Sequence, residues 1–170
     1  MYYHAGGMQG MLHFCEWLEH NSWIIALDSN VPLSLFFEIM HYSGFFLVVG
    51  TTVVMDLRIL GLAGRKEAPS AIAEQLVPWM WTGLAMATVS GFFMFSADAA
   101  DFYLAYTFRV KILIVVLAAI LGAVVQRKAS RWNELASIPG GAKLVAFISL
   151  IFWIGAILAS VEVPAISGVG

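Results

Sequence analysis

Glu38 and His41 stand three positions apart in a run, Leu33 to Met55, that is otherwise almost wholly apolar. Residues at positions i and i+3 share one face of a helix, so both side chains point the same way. An ionisable group in hydrocarbon is costly unless it is paired, ligated or directed into the protein interior. Because imidazole is a common ligand of haem iron and copper, the pair predicts a cofactor or metal site with His41 as ligand. The structural alternative is a histidine hydrogen-bonded to Glu38 or to a neighbouring helix.

A cationic pair, Arg109 and Lys111, begins the third apolar run of the chain. Guanidinium groups bind carboxylates in a bidentate manner, so haem propionates are a predicted partner, with a porphyrin between His41 and this pair. Lipid phosphates are a second candidate, and side chains that merely extend to the headgroups are the plain alternative. Acidic side chains of the chain itself are also candidates: Asp98, Asp101, Glu38 and Glu162.

Two further histidines, His13 and His20, flank Trp17 seven residues apart in the N-terminal segment. Either could supply a second axial haem ligand, although histidines in such segments are usually solvated. Asp56 and Arg58 are two positions apart and therefore do not face each other on one helix. We expect Asp56 to pair with a neighbouring helix in a structural role.

The composition predicts the elements that carry these residues. The chain has 170 residues, of which 61% are hydrophobic and 12% charged, which indicates one integral membrane domain over residues 1–170. A membrane-spanning helix needs about 20 mainly apolar residues. Four runs satisfy this: about 33–57, 77–97, 107–126 and 143–162. The predicted fold is therefore all-α, a membrane four-helix bundle.

The segment of about 8–27 mixes tryptophan, phenylalanine and leucine with His and Glu, which predicts an amphipathic interfacial helix. Asp28 to Pro32 then supplies a turn and a helix cap. Small residues in the later spans predict close helix contacts. They are Gly83, Ala87 and Gly91, then Ala118 and Gly122, then Gly155 and Ala159.

Charge position predicts the orientation. Seven of the nine Lys and Arg residues fall in the first and third loops between the spans: Arg58, Arg65, Lys66, Arg127, Lys128, Arg131 and Lys143. Positively charged loops stay in the cytoplasm, so both termini should face outward. The predicted location is the inner membrane of a bacterium, with the termini in the periplasm.

Several short motifs occur in a distinctive order along the chain. They are Ser22-Trp23, Glu38-x-x-His41, Gly50, Asp56-Leu57-Arg58-x-Leu60-Gly61, Pro78-Trp79-x-Trp81, Gly91 and Phe108-Arg109-x-Lys111. In this combination, over about residues 12–160, the chain resembles a bacterial family of four-span membrane proteins classed as a domain of unknown function. It is also distantly similar to copper-resistance D-type membrane domains. The resemblance implies a four-helix inner-membrane protein, and the copper-resistance kinship implies metal or redox work.

These features favour a b-type haem protein that transfers electrons or senses a small ligand near the outer leaflet. Copper handling by His41 and Glu38, with Met40 or Met94, is the first alternative. A non-catalytic scaffold or accessory subunit is the second. The lipid bilayer is the expected partner, together with a second copy or a redox protein, and no basic patch suggests nucleic acid. Cys15 is the only cysteine, and no catalytic triad or phosphate loop indicates hydrolysis or group transfer.

Overall fold

The computed structural model describes residues 3–64, 66–133 and 138–167, with side chains for 9–64, 66–129, 131–133 and 138–158. The described residues form helices and no strand, which confirms the predicted all-α class. The α-helices are α1 (Tyr3–Glu19), α2 (Ser22–Asp28), α3 (Val31–Leu60), α4 (Pro69–Ala97), α5 (Ala99–Leu104), α6 (Tyr106–Lys128) and α7 (Gly140–Ser167). A single 3-10 turn, Ala129–Trp132, follows α6.

Four helices are long and apolar enough to cross a membrane: α3, α4, α6 and the Gly140–Leu158 part of α7. The four helices, with α7 taken over its full length, are each longer than the apolar run from which they were predicted. The largest extension is at the start of α4, where Pro69 occupies the first turn and favours helix initiation. The first two turns bury Ala73 but leave Glu74 and Gln75 exposed, which is why hydropathy alone missed them.

The ends of α3 follow ordinary capping chemistry. The side chain of Asn30 accepts a hydrogen bond from the Leu33 amide at 3.3 Å, which confirms the predicted cap. At the other end, Gly61 adopts a left-handed conformation with φ of 76°. Glycine adopts this conformation without steric cost, so the chain can reverse there into the loop before α4.

The closest backbone approach joins α3 to α4. A Cβ atom added to Gly44 would lie 2.6 Å from the Ala87 nitrogen and 2.7 Å from the Gly83 oxygen. Gly122 of α6 similarly makes room for Thr52, whose methyl would be 2.9 Å from an added Cβ. Two of the predicted small-residue contacts are thus confirmed. The third is not, because Gly155 has open space among the described residues, and the side chain of Ala159 lies outside them.

Two apolar clusters hold the four long helices together. The first joins all four of them, through Met55 and Ile59 of α3, Ala73 of α4, Val125 of α6 and Ala146 of α7. The second joins three helices, through Val48 and Val49 of α3, Ala118 of α6, and Trp153 and Ala156 of α7. α3 contributes to both clusters, so it is the central helix of the fold.

The N-terminal segment, for which one helix was predicted, contains two. Asn21 ends the first and caps the second, because its side chain accepts a hydrogen bond from the Trp23 amide at 3.1 Å. α1 packs on α5 through Cys15, Leu18 and Ala99. The Glu19 carboxylate accepts a hydrogen bond from the Ala100 amide at 3.1 Å, which pairs one of the backbone N–H groups that have no partner within α5. Burial, with repulsion from the neighbouring glutamates, raises the pKa of the Cys15 thiol, so it is a poor nucleophile.

The two positively charged loops meet at one end of the molecule. Asn133 donates to the Ser70 hydroxyl at 2.6 Å and accepts from the Ser70 amide at 3.2 Å. Arg58 donates from its guanidinium to the Glu67 carbonyl oxygen, which ties the end of α3 to the loop before α4. The described residues therefore place both loops on the same side, as the alternating direction of the long helices requires.

The contact between α3 and α4 yields a stability prediction. Gly44→Ala should destabilise the protein by about 1–3 kcal/mol, because the added methyl meets backbone atoms that cannot move independently. Gly50→Ala is the matched control, since an added Cβ there meets nothing within 4 Å and alanine favours helix by about 1 kcal/mol. Thermal unfolding in detergent measures both. Equal melting temperatures would show that the close approach is not a constraint.

Candidate functional site around His41

His41 is the eleventh residue of α3, and its ring lies against α4. Its Nδ1 atom is 2.9 Å from the Ala87 carbonyl oxygen and 3.4 Å from the Ser90 hydroxyl. A carbonyl oxygen only accepts, so Nδ1 carries the proton. The Ser90 hydroxyl donates to the Met86 carbonyl at 2.6 Å. The other ring nitrogen, Nε2, therefore has the lone pair that could bind a metal.

Gly91 makes room for the imidazole. A Cβ atom at this position would be 2.9 Å from Cε1 of His41 and 3.1 Å from its Nδ1. The sequence analysis treated Gly91 as a packing residue and did not connect it with His41. The connection follows from the antiparallel course of α3 and α4, since the two residues lie at similar distances along the chain from the loop that joins these helices.

Glu38 lies one turn before His41 and is half-buried. The described residues show no hydrogen bond or ion pair for its carboxylate, so the direct Glu38–His41 bond is not made. Of the two structural alternatives for the histidine, the bond to a neighbouring helix is the one present. Glu38 remains available on the same helix face, one turn from the free nitrogen of His41.

The cationic pair on α6 separates. Lys111 is half-buried and lies near enough to His41 for its charge to act on the imidazole. Arg109 is exposed and donates to the Leu104 carbonyl at 3.3 Å, at the end of α5. Residues two apart on a helix point in different directions, so only Lys111 joins the His41 region.

None of the acidic partners proposed for this pair is engaged with it in the described residues. Asp98 and Asp101 lie near each other and near Asp28 and Glu19 instead. The side chain of Glu162 lies outside the part of the chain for which side chains are described. Within the described residues, neither Arg109 nor Lys111 is paired with an acidic side chain.

The described contacts of His13 and His20 stay within α1. The His13 ring is 3.7 Å from the Glu16 carboxylate, with 87% of its side chain exposed. His20 Nδ1 is 2.7 Å from the Glu16 carbonyl oxygen. Neither ring is brought to His41 in the described structure.

Met80 and clusters of metal-binding side chains are the remaining candidate sources of ligands. Met80 accepts a hydrogen bond from the Gln126 amide at 3.0 Å, so it fills a gap between α4 and α6. Among the described residues, no three His, Cys, Asp or Glu side chains lie close enough to hold one metal ion. Among the described residues, the site consists of a single oriented imidazole with a cation nearby.

The chain is thus an all-helical protein with four helices fit to cross a membrane and one oriented histidine on the central helix. A family model described as a family of unknown function, DUF6644, matches residues 14–163. The chain belongs to this family. No curated protein and no solved structure matches it significantly.

The acidic cluster between α4 and α5 yields a pH prediction. Burial first, and then repulsion from Asp28, Asp101 and Glu19, raises the pKa of Asp98 above its ordinary value. The folded protein therefore keeps a proton that the unfolded chain releases, so stability falls as the pH rises from about 4 through the raised pKa. Asp98→Asn should be more stable than the wild type at neutral pH and should lose less stability across this window.

Thermal unfolding in detergent over a pH series tests this effect. Glu74→Gln is the control, because Glu74 is an exposed carboxylate near the other end of α4. An unchanged pH dependence in Asp98→Asn would show that Asp98 is not the group responsible.

Proposed function

We propose that the four long helices form a membrane-embedded bundle in a bacterial inner membrane, with both termini in the periplasm. Their length and apolar character support the embedding. The Lys and Arg residues near the Ser70–Asn133 contact support the orientation, because positively charged loops remain cytoplasmic. In this orientation His41 lies toward the periplasmic side.

On this basis we propose that the protein binds haem b through His41 and functions in electron transfer or in sensing a small ligand. The observation that carries the proposal is the hydrogen bond from His41 Nδ1 to the Ala87 carbonyl. Metal-binding histidines typically donate from the other ring nitrogen in this way, which holds the ring and directs its lone pair at the metal. A haem would supply the redox chemistry, and the protein would tune it through ligation and burial.

The surrounding residues fit a haem at this position. Gly91 leaves space for the imidazole ring, and Lys111 places a cation near it that can pair with a propionate. Arg109 points toward the end of α5, so a propionate contact there would require its side chain to turn. We assign Lys111 the larger role in holding a propionate.

The second axial position has no ligand within the described contacts of His41. His13 and His20 remain candidates only if α1 moves or if a second copy or a redox partner presents them. We therefore propose that His41 would hold the haem in the isolated chain, and that the haem would supply reactivity toward a small ligand.

Copper handling is the second candidate function, and one observation favours it. Glu38 is half-buried, lies one turn from His41 and is without a partner in the described residues, so it could join the imidazole in binding an ion. Met40 or Met94 would complete such a site. The resemblance of the sequence to copper-resistance D-type membrane domains would favour this alternative. It ranks second because no cluster of three or more His, Cys, Asp or Glu donors is described.

An absorption spectrum tests the haem proposal. Protein purified in detergent from cells supplied with iron should show a Soret band and sharpened visible bands after reduction with dithionite. His41→Ala should lose nearly all bound haem, whereas His13→Ala should retain it because His13 is exposed on α1.

Wild-type protein without a Soret band would refute the haem proposal. Stoichiometric copper in the same preparation, lost in Glu38→Ala, would then establish the second candidate. Protein with neither haem nor copper would support the scaffold alternative, in which the His41–Ala87 bond serves only to align α3 with α4.

Gly91→Ala tests whether the position of the imidazole matters. The added methyl would lie 2.9 Å from Cε1 of His41, which is closer than van der Waals contact. It should therefore displace the ring and shift the Soret maximum or reduce the haem content, while the helices remain folded. Gly50→Ala is the control, because that position faces open space. Identical spectra for all three proteins would contradict a role for this niche in ligation.

A further inference from the structure

A second polar group of α3 lies far from His41. Asp56 is fully buried, with 0% of the residue exposed, and neither carboxylate oxygen has a hydrogen-bond partner. It is 15 residues after His41, or about 22 Å along a helix. A buried carboxylate in this condition is costly unless something neutralises it, and ionisable groups in membrane helices usually mark functional sites.

The helix that faces Asp56 carries the matching polar groups. Ser149 of α7 lies beside Asp56, and its buried hydroxyl is also without a hydrogen-bond partner. Trp153 follows one turn later on the same face of α7, and its buried Nε1 is unpaired. The unpartnered buried side-chain oxygens and nitrogens of the described residues all belong to these three residues, on two facing helices. A neighbouring helix was expected to pair with Asp56. That helix is α7, where Ser149 is near enough to interact with the carboxylate without meeting full hydrogen-bond geometry.

No charged side chain compensates Asp56 among the described residues. Arg58, two positions later, donates to the Glu67 carbonyl. The titratable groups on the neighbouring helices at this end are exposed: Glu74 on α4, Arg127 and Lys128 on α6, and Lys143 on α7. Within the described residues nothing neutralises the Asp56 carboxylate, and its buried setting would admit only a small cation.

We propose that Asp56 and Ser149 form a binding site for a small monovalent cation, a proton or a sodium ion, between α3 and α7. The carboxylate supplies the charge and the Ser149 hydroxyl supplies a second oxygen. Trp153 Nε1 is a donor and cannot bind a cation, so it is not part of the site. Binding stabilises the packing of α7 on α3, and it does not depend on what His41 binds.

Thermal unfolding of the full-length protein in detergent tests this site. The wild type is compared with Asp56→Asn, whose amide has the shape of a neutral carboxylic acid. The control is Glu74→Gln, which removes an exposed carboxylate on α4. Each protein is unfolded over a pH series, and at alkaline pH in sodium chloride or in choline chloride of equal ionic strength.

The expected results differ between a bound proton and a bound sodium ion. If a proton binds, the melting temperature of the wild type falls relative to Asp56→Asn as the pH rises, whichever salt is present. If sodium binds, sodium chloride at about 100 times the dissociation constant raises the melting temperature of the wild type at alkaline pH by about 5–10 °C, and leaves Asp56→Asn unchanged. Either result supports the site. Identical responses of the wild type and Asp56→Asn to pH and to sodium would overturn it.

Ser149→Ala keeps the test decisive if Asp56→Asn does not fold. Its matched control is Ser96→Ala, because Ser96 is equally buried but donates to the Phe92 carbonyl of its own helix at 2.7 Å. Loss of the Ser149 oxygen should change the proton or sodium concentration that gives half of the rise in melting temperature by about tenfold. Loss of the Ser96 hydroxyl should not change it. Equal midpoints in the wild type and both serine variants would contradict the proposal.

Discussion

The contact between α3 and α4 at Gly44 and Gly83 is the constraint on which the candidate site depends. Each glycine lies so close to the opposite backbone that an added Cβ would be 2.7 Å or less from the nearest atom. In lipid, the hydrophobic effect does not drive helices together, so close packing of small residues must do so. One turn before Gly44, the same proximity lets the His41 ring reach the Ala87 carbonyl. The orientation of the imidazole is therefore a consequence of helix packing as well as of its own hydrogen bond.

Hydropathy was sufficient to predict the helical class and the four long apolar helices, because both depend on composition averaged over many residues. It was insufficient where a boundary depends on one side chain. Asn21 divides the N-terminal segment by accepting a hydrogen bond from the Trp23 amide. Pro69 starts α4 before its apolar run begins. Such capping signals are local, and an averaged hydropathy profile does not register them.

The site was predictable in part for a similar reason. His41 is identifiable from the sequence because an ionisable residue in an apolar run is costly and usually has a functional role. Its partner could not be identified from residue types, since the Ala87 oxygen is a backbone atom that every residue carries. The separation of Arg109 from Lys111 was predictable, because residues two apart on a helix diverge. The position of Glu38, near His41 but not bonded to it, depends on side-chain geometry that spacing does not determine.

α3 carries both polar groups on which the proposals rest, and each faces a different helix. His41 lies against α4, while Asp56 lies beside Ser149 of α7. Effects at sites more than about 10 Å apart that share no partner usually add independently, and these sites are about 22 Å apart along the helix. Neutralising Asp56 should then change how α7 packs without altering the bond between His41 and Ala87. The two proposed sites should therefore respond independently, one through the contact with α4 and the other through the contact with α7.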